Sequence, residues 1–311
     1  MQLIRGYKIK IVTNCTARKA GVVPRVLRAR ALPKGNLAAV AREWGQRVAA
    51  AQDRMPAGKL YQGRAFREAT RAARLANTPL TIVSAGLGLV DEEDFVPTYS
   101  LTVSKGSPDA ISERIKDAPF KPADWWGALR RSIGDSKSFA ECVRRAHTTL
   151  FVVALSPAYV ELLLEDFLAL TPRDLRRVRL IGPRHDTHMP DALRAIHLPY
   201  DDRLDGAKSP IRGTEADFPQ RAAFHFTKMI RGRQFQTSEE HKQLVLNALE
   251  KWPRKSTPVR QKLPERDLRI AIREVLYECG GHWSRALRRL RDQRKVACEQ
   301  KRFKRICGEM L

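Results

Sequence analysis

The run Leu80-Thr81-Ile82-Val83 passes directly into Ser84-Ala85-Gly86 and then into Leu87-Gly88-Leu89-Val90-Asp91. A β-branched stretch that stops at small residues reads as a strand opening into a loop. In a parallel α/β sheet such loops form the carboxyl edge, where ligands are held. Lys8-Ile9-Lys10-Ile11-Val12 repeats the pattern and ends in Thr13-Asn14-Cys15-Thr16-Ala17-Arg18-Lys19. Two junctions rich in hydrogen-bonding and cationic groups predict one polar pocket assembled from distant parts of the chain.

The rest of the first 250 residues alternates in the same sense. Strands are predicted at Lys8-Thr13, Leu80-Ser84, Thr149-Leu155, Arg177-Ile181 and Ala195-Pro199, with helices including Gly35-Ala51, Gly63-Leu75 and Ser138-Ala146. This alternation predicts an α/β fold with a small parallel sheet flanked by helices. Nothing repeats at a fixed period, which argues against a solenoid. The 311 residues, 43% of them hydrophobic, suffice for one large domain or two. No apolar run approaches the roughly 18 residues of a membrane span, and the N-terminus lacks a secretory apolar region. A soluble, cytoplasmic protein is expected. The five cysteines are irregularly spaced, which does not suit a disulfide framework and fits a reducing compartment.

Charge narrows the choice of partner. The chain carries 58 Lys and Arg against 34 Asp and Glu, a formal +24. A polyanion gains affinity from each phosphate neutralised and each counterion released, so nucleic acid is the first candidate. The plainer reading of the same surplus is a surface of solvated arginines. From Pro253 onward, 17 Lys and Arg stand against 7 Asp and Glu, so the short tail is the more densely charged part.

Residues 251–264 hold three prolines and five basic residues and predict a linker between an α/β domain over 1–250 and a helical domain over 265–311. Helices are predicted there at Glu265-Tyr277, His282-Asp292 and Ala297-Gly308, broken by Gly280-Gly281. Three short helices, the last one basic, resemble a helix-turn-helix module. Arg285, Arg288, Arg289, Gln300, Lys301, Arg302, Lys304 and Arg305 are the candidate DNA contacts. The alternative is a basic appendage that touches no nucleic acid. Cys279, His282, Cys298 and Cys307 make a Cys3His set, but their spacing and the apolar seam under the last two read better as core cysteines than as zinc ligands. His185-Asp186-Thr187-His188 reads as a pocket loop rather than a metal site.

Cys15-Thr16-Ala17-Arg18-Lys19, Leu60-Tyr61-Gln62-Gly63-Arg64-Ala65-Phe66, Ser84-Ala85-Gly86-Leu87-Gly88-Leu89-Val90 and Pro97-Thr98-Tyr99-Ser100 occur in that order. Together they resemble the family of the peroxide-stress protein YaaA and the corresponding domain of archaeosine synthase, over about residues 8–230. The resemblance implies a uracil-DNA-glycosylase-like fold with a base pocket at the strand ends. The chain is also similar to a phage-defence DNA glycosylase that removes glucosylated hydroxymethylcytosine. It departs from the family pattern at Ser100, where many relatives carry an acidic residue, and at Thr16-Ala17 between Cys15 and the basic pair.

That resemblance implies excision of a modified base from double-stranded phage DNA, leaving abasic sites in antiviral defence. A flipped base needs an amide clamp, a carboxylate near the anomeric carbon and cations along the phosphates. The expected catalytic residues are Asn14, at the base edge, and Asp91, orienting water. Asn14 also suits a helix cap, and Asp91-Glu92-Glu93-Asp94 also suits a solvated acidic turn. Tyr99 would stack on the base, Arg18 and Lys19 would hold phosphates or a sugar, and Ser84, Gly86 and Ser156 would line the pocket. Cys15 reads equally as packed thiol or nucleophile, and Lys19 could form a Schiff base with an abasic sugar. No cofactor, metal, membrane or obligate protein partner is expected. The rival readings are a non-catalytic DNA-binding protein and a nucleotide- or tRNA-modifying enzyme.

Overall fold

The computed structural model describes residues 8–134, 137–182, 189–254 and 259–310. It divides into two compact units, Met1–Arg254 and Lys255–Leu311. The first holds strands β1 (Lys8–Asn14), β2 (Arg54–Pro56), β3 (Thr81–Ser84), β4 (Gly88–Asp91), β5 (Phe95–Pro97), β6 (Thr149–Ala154) and β7 (Val178–Ile181). Its longer helices are α1 (Leu37–Ala50), α2 (Arg64–Ala76), α3 (Pro122–Ser132), α4 (Phe218–Met229) and α5 (Ser238–Glu250). The second unit comprises α6 (Glu265–Glu278), α7 (Trp283–Asp292) and α8 (Gln300–Gly308).

The main sheet runs β4-β3-β1-β6-β7, and β2 pairs with β5 in a separate two-stranded ribbon. β1 is central because it is covered on both faces: Ile9, Ile11, Val12 and Thr13 are all buried. β3 lies parallel to it with Val12 opposite Thr81, and β6 lies parallel on the other side with Lys10 opposite Phe151. The chain builds β3 and β4 on one side of β1 and then crosses to build β6 and β7 on the other. The carboxyl ends of β1 and β6 therefore flank a topological switch point, the place where open α/β sheets form a crevice. Helices flank the sheet: α2 packs on β1, α4 packs on β6 and on α2, and α3 packs on α1 and β4.

Two sequence expectations are corrected. The sheet is mixed rather than wholly parallel, because Gly88-Leu89-Val90-Asp91 is not part of the loop but the antiparallel partner of β3. Ser84 makes the reversal possible: its carbonyl and its Oγ both accept the amide of Leu87, and Gly88 takes a positive φ of 76°. The predicted strand Ala195-Pro199 is instead the end of a helix, Asp191–Ile196, followed by a single bridge from His197 to Leu180. Leu193 and Ile196, three apart, both bury, which is helical spacing. Helices α3, α4 and α5 were not among those predicted.

In the second unit Leu268, Ile272, Val275, Ala286, Leu290, Phe303, Ile306 and Cys307 form one core. Gly280 and Gly281, with φ of 58° and 76°, turn the chain between α6 and α7. Cys298 is buried and Cys279 packs partly against the same core. No cluster of three metal-ligating side chains occurs among the described residues. His185 and His188 lie outside them. Trp252, within the predicted linker, packs against the core of the first unit with its ring 5.0 Å from that of His225. No described helix is long and apolar enough to cross a membrane.

Candidate functional site

The carboxyl ends of β1 and β3 meet over a buried network of phenols and one thiol. Cys15 follows β1, and its Sγ lies 3.0 Å from Tyr159 Oη and 3.4 Å from Tyr99 Oη. Tyr99 Oη is 2.7 Å from Ser84 Oγ, at the end of β3, and 3.2 Å from Tyr61 Oη. Burial, reinforced by the nearby Cys15, pushes all three phenols well above their usual pKa, so they remain hydroxyl donors at neutral pH. The turn beneath them is pinned from below. Trp125 Nε1 donates to Ala85 O at 2.8 Å and Trp44 Nε1 donates to Gly86 O at 2.7 Å. A Cβ on Gly86 would stand 2.7 Å from the Tyr99 ring, so glycine is the residue that lets the ring close over the turn. Tyr99 is fully buried between these groups, which removes it from the base-stacking role expected for it.

Lys19 covers the network from the solvent side. Its Nζ lies 4.2 Å from the centroid of the Tyr99 ring and donates to Thr16 O at 3.0 Å. Burial lowers its pKa, against the opposing pull of Cys15 and Asp109, while the ring face and the carbonyl favour the cation. A bridge between Lys19 and Tyr61 joins this loop to the start of α2. There a cleft of about 670 Å³ opens, lined by Tyr61, Phe66, Arg18, Lys59, Arg67, Arg71 and Arg74 among others. Arg67, Arg71 and Arg74 recur at helical spacing along one face of α2. Arg18, Arg67 and Arg74 are exposed and make no ion pair among the described residues.

Asn14 sits at the switch point but is largely occupied. Its Oδ1 accepts from Ser156 N at 3.0 Å and from Gln220 Nε2 at 3.2 Å, and its Nδ2 donates to Cys15 O at 3.0 Å. It therefore ties the ends of β1 and β6 together, with one amide hydrogen left. Gln220 was not foreseen; it comes from α4 and also reaches Thr13 Oγ1 and Ala154 O, while its own buried Oε1 has no partner. Tyr61 falls within the Leu60-to-Phe66 motif, yet only folding shows that its hydroxyl meets that of Tyr99 and that Tyr159 reaches Cys15.

Asp91 does not join this group. It ends β4 opposite Thr81, three residues back along β3 from Ser84, about 10 Å along the strand. There it pairs with Lys10 Nζ at 2.9 Å and with Thr81 Oγ1. Being antiparallel, β4 carries its last residue away from the carboxyl edge, which is why the expected pairing with Asn14 fails. The carboxylate whose charge reaches Lys19 is Asp109, which sequence reasoning missed. Burial would raise its pKa, but hydrogen bonds from Arg30 and Ser100 outweigh this and bring it to about 2. Ser100, the departure from the family pattern, donates to Asp109 at 2.7 Å.

In the second unit, Gln300, Lys301 and Lys304 form the exposed face of α8, and Arg285 and Arg288 are exposed on α7. Three of the expected contacts are already paired: Arg289 with Glu278 at 2.6 Å, Arg302 with Glu265 at 2.6 Å, and Arg305 with Glu265 and Glu309 at 2.9 and 2.7 Å. Exposed pairs of this kind are weak and can be exchanged for phosphate. No protein-family model matches this chain, and no curated protein matches it.

Proposed function

We propose that the protein is a DNA glycosylase of the YaaA-like family, which excises a modified base at the carboxyl edge of its sheet while the basic three-helix unit holds duplex DNA. The observation that carries the reading is the junction of the arginine-lined cleft along α2 with Lys19 and Tyr61 at that edge. Cations on the cleft suit a phosphate backbone, and the switch point offers the remaining Asn14 amide hydrogen to a base edge. In the reaction the C1′–N bond breaks with its electron pair leaving on the base, water adds to C1′, and the proton it sheds returns to the base. Lys19, over the Tyr99 ring, faces a flanking phosphate.

The test is incubation of the full-length protein with phage DNA carrying glucosylated hydroxymethylcytosine, with unmodified DNA and with uracil-containing DNA, followed by mass spectrometry of released bases. A free base with matching abasic sites is the expected result from the modified DNA. A second reading, DNA binding without catalysis, is favoured by the closure of the phenol–thiol network on itself. Tight binding with no base released from any substrate would establish it instead.

A further inference from the structure

The opposite edge of the same sheet carries a second cationic surface that the proposed chemistry does not use. Two hollows lie where the parallel strands begin, of about 310 and 790 Å³, and they share Gln234. Arg173 and Arg176 line the first, and Lys8 and Arg231 line the second beside Lys10, whose Nζ is held by Asp91; no acidic side chain lines either hollow. Phe235, in the wall of the first hollow, has 68% of its surface exposed. The seven residues of β1 place this groove on the order of 20 Å from Cys15.

The loop that presents Phe235 is built rather than incidental. Arg179, wholly buried in β7, donates to Gln236 O at 3.0 Å and to His241 Nδ1 at 2.9 Å. His241, also wholly buried, turns its Nε2 to Arg233 O at 3.1 Å. Both bonds are satisfied by the neutral imidazole with its proton on Nε2. The carbonyls on either side of Gln234 and Phe235 are thus anchored from inside, and the aromatic ring is left facing solvent. Gln236 also lines the first hollow, and its buried Oε1 has no hydrogen-bond partner.

We propose that this groove binds a single-stranded polynucleotide, with the cations following the phosphates and Phe235 stacked on an unpaired base. A base stacked in a duplex cannot offer its face to Phe235, so the aromatic ring selects an unpaired strand. The proposal stands whether or not the carboxyl edge excises a base.

The test uses the full-length protein and labelled oligo-dT, oligo-U and a duplex of equal length, read by fluorescence anisotropy across a salt series. Phe235→Ala is expected to weaken both single strands on the order of ten-fold, the loss of one base–aromatic stack, and to leave the duplex unchanged. Arg173→Ala with Arg176→Ala is expected to reduce the single-strand salt slope by about 1.4. Equal weakening of duplex and single strand by Phe235→Ala would overturn the proposal, as would no weakening at all. Displacement of oligonucleotides by polyglutamate at equal charge concentration would identify an acidic-peptide surface instead. A preference between oligo-dT and oligo-U names the polymer.

Discussion

The two edges of the central sheet hold their polar groups in opposite ways. At the carboxyl edge, neutral hydroxyls and a thiol satisfy one another around Cys15, and the cations lie outside this knot. At the amino edge a guanidinium, Arg179, is itself buried with carbonyls and a neutral histidine for partners. The first arrangement contains no group that titrates in mild acid among its buried members, whereas the second contains His241. One sheet therefore supports a neutral, closed edge and a charged, acid-sensitive one.

Acid should separate the two edges with the largest effect. Burial, aided by Arg179, lowers the His241 pKa from 6.5 to about 4. The unfolded chain takes up the proton first, so stability is full above pH 6.5, falls as pH drops toward 4 and is level below that. The loss is on the order of 3 kcal/mol from this one residue. Urea unfolding at pH 7 and pH 4.5 should show it, with amide exchange rising over residues 230–241 before it rises over 84–99. Faster exchange at the carboxyl edge first would break the comparison.

Gly86→Ala attacks the neutral edge. With a Cβ forced to within 2.7 Å of the Tyr99 ring and 3.2 Å of Trp44, overpacking should cost about 2 kcal/mol and lower the melting temperature. Base release, if present, should fall with it, while oligo-dT binding at the amino edge persists. Tyr99→Phe is milder: it leaves Ser84, Tyr61 and Cys15 without a shared partner and should cost about 1 kcal/mol in chemical denaturation. An unchanged midpoint would mean that the three groups re-pair without it. Asp91→Asn should have the smallest effect. Its pair with Lys10 is half exposed, so the loss is about 0.5 kcal/mol or less, with base release at the wild-type rate. A large loss of activity in Asp91→Asn would bring that carboxylate back into the chemistry.

Several elements were legible because local pattern and tertiary role agree. β1 and β6 alternate or run apolar as buried parallel strands do, and Asn36 and Ser138 cap their predicted helices through side-chain bonds to the third backbone amide. The three-helix tail was legible from its three helical segments and the Gly280-Gly281 break, and their apolar residues form one core. β4 was not, because Gly88–Asp91 is as apolar as a pocket loop and only its pairing with β3 tells strand from loop. α4 was missed because its burial is nearly all-round, including Gln220 and Arg221, which removes the amphipathic stripe that marks a surface helix.

The sequence by itself determined the α/β order, the position of the strand-end junctions at Asn14 and Ser84, the change to a charged helical tail and the excess of cations, since each depends on neighbours in the chain. The tertiary structure decided which groups meet: Cys15 with Tyr99 and Tyr159, Asn14 with Gln220, Asp109 with Lys19's surroundings, and Asp91 with Lys10 instead of with the pocket. The physical reason is that hydrogen bonds and charges act over a few ångströms of space. Residues 144 and 206 positions apart are brought within that range only by the direction and register of the strands beneath them.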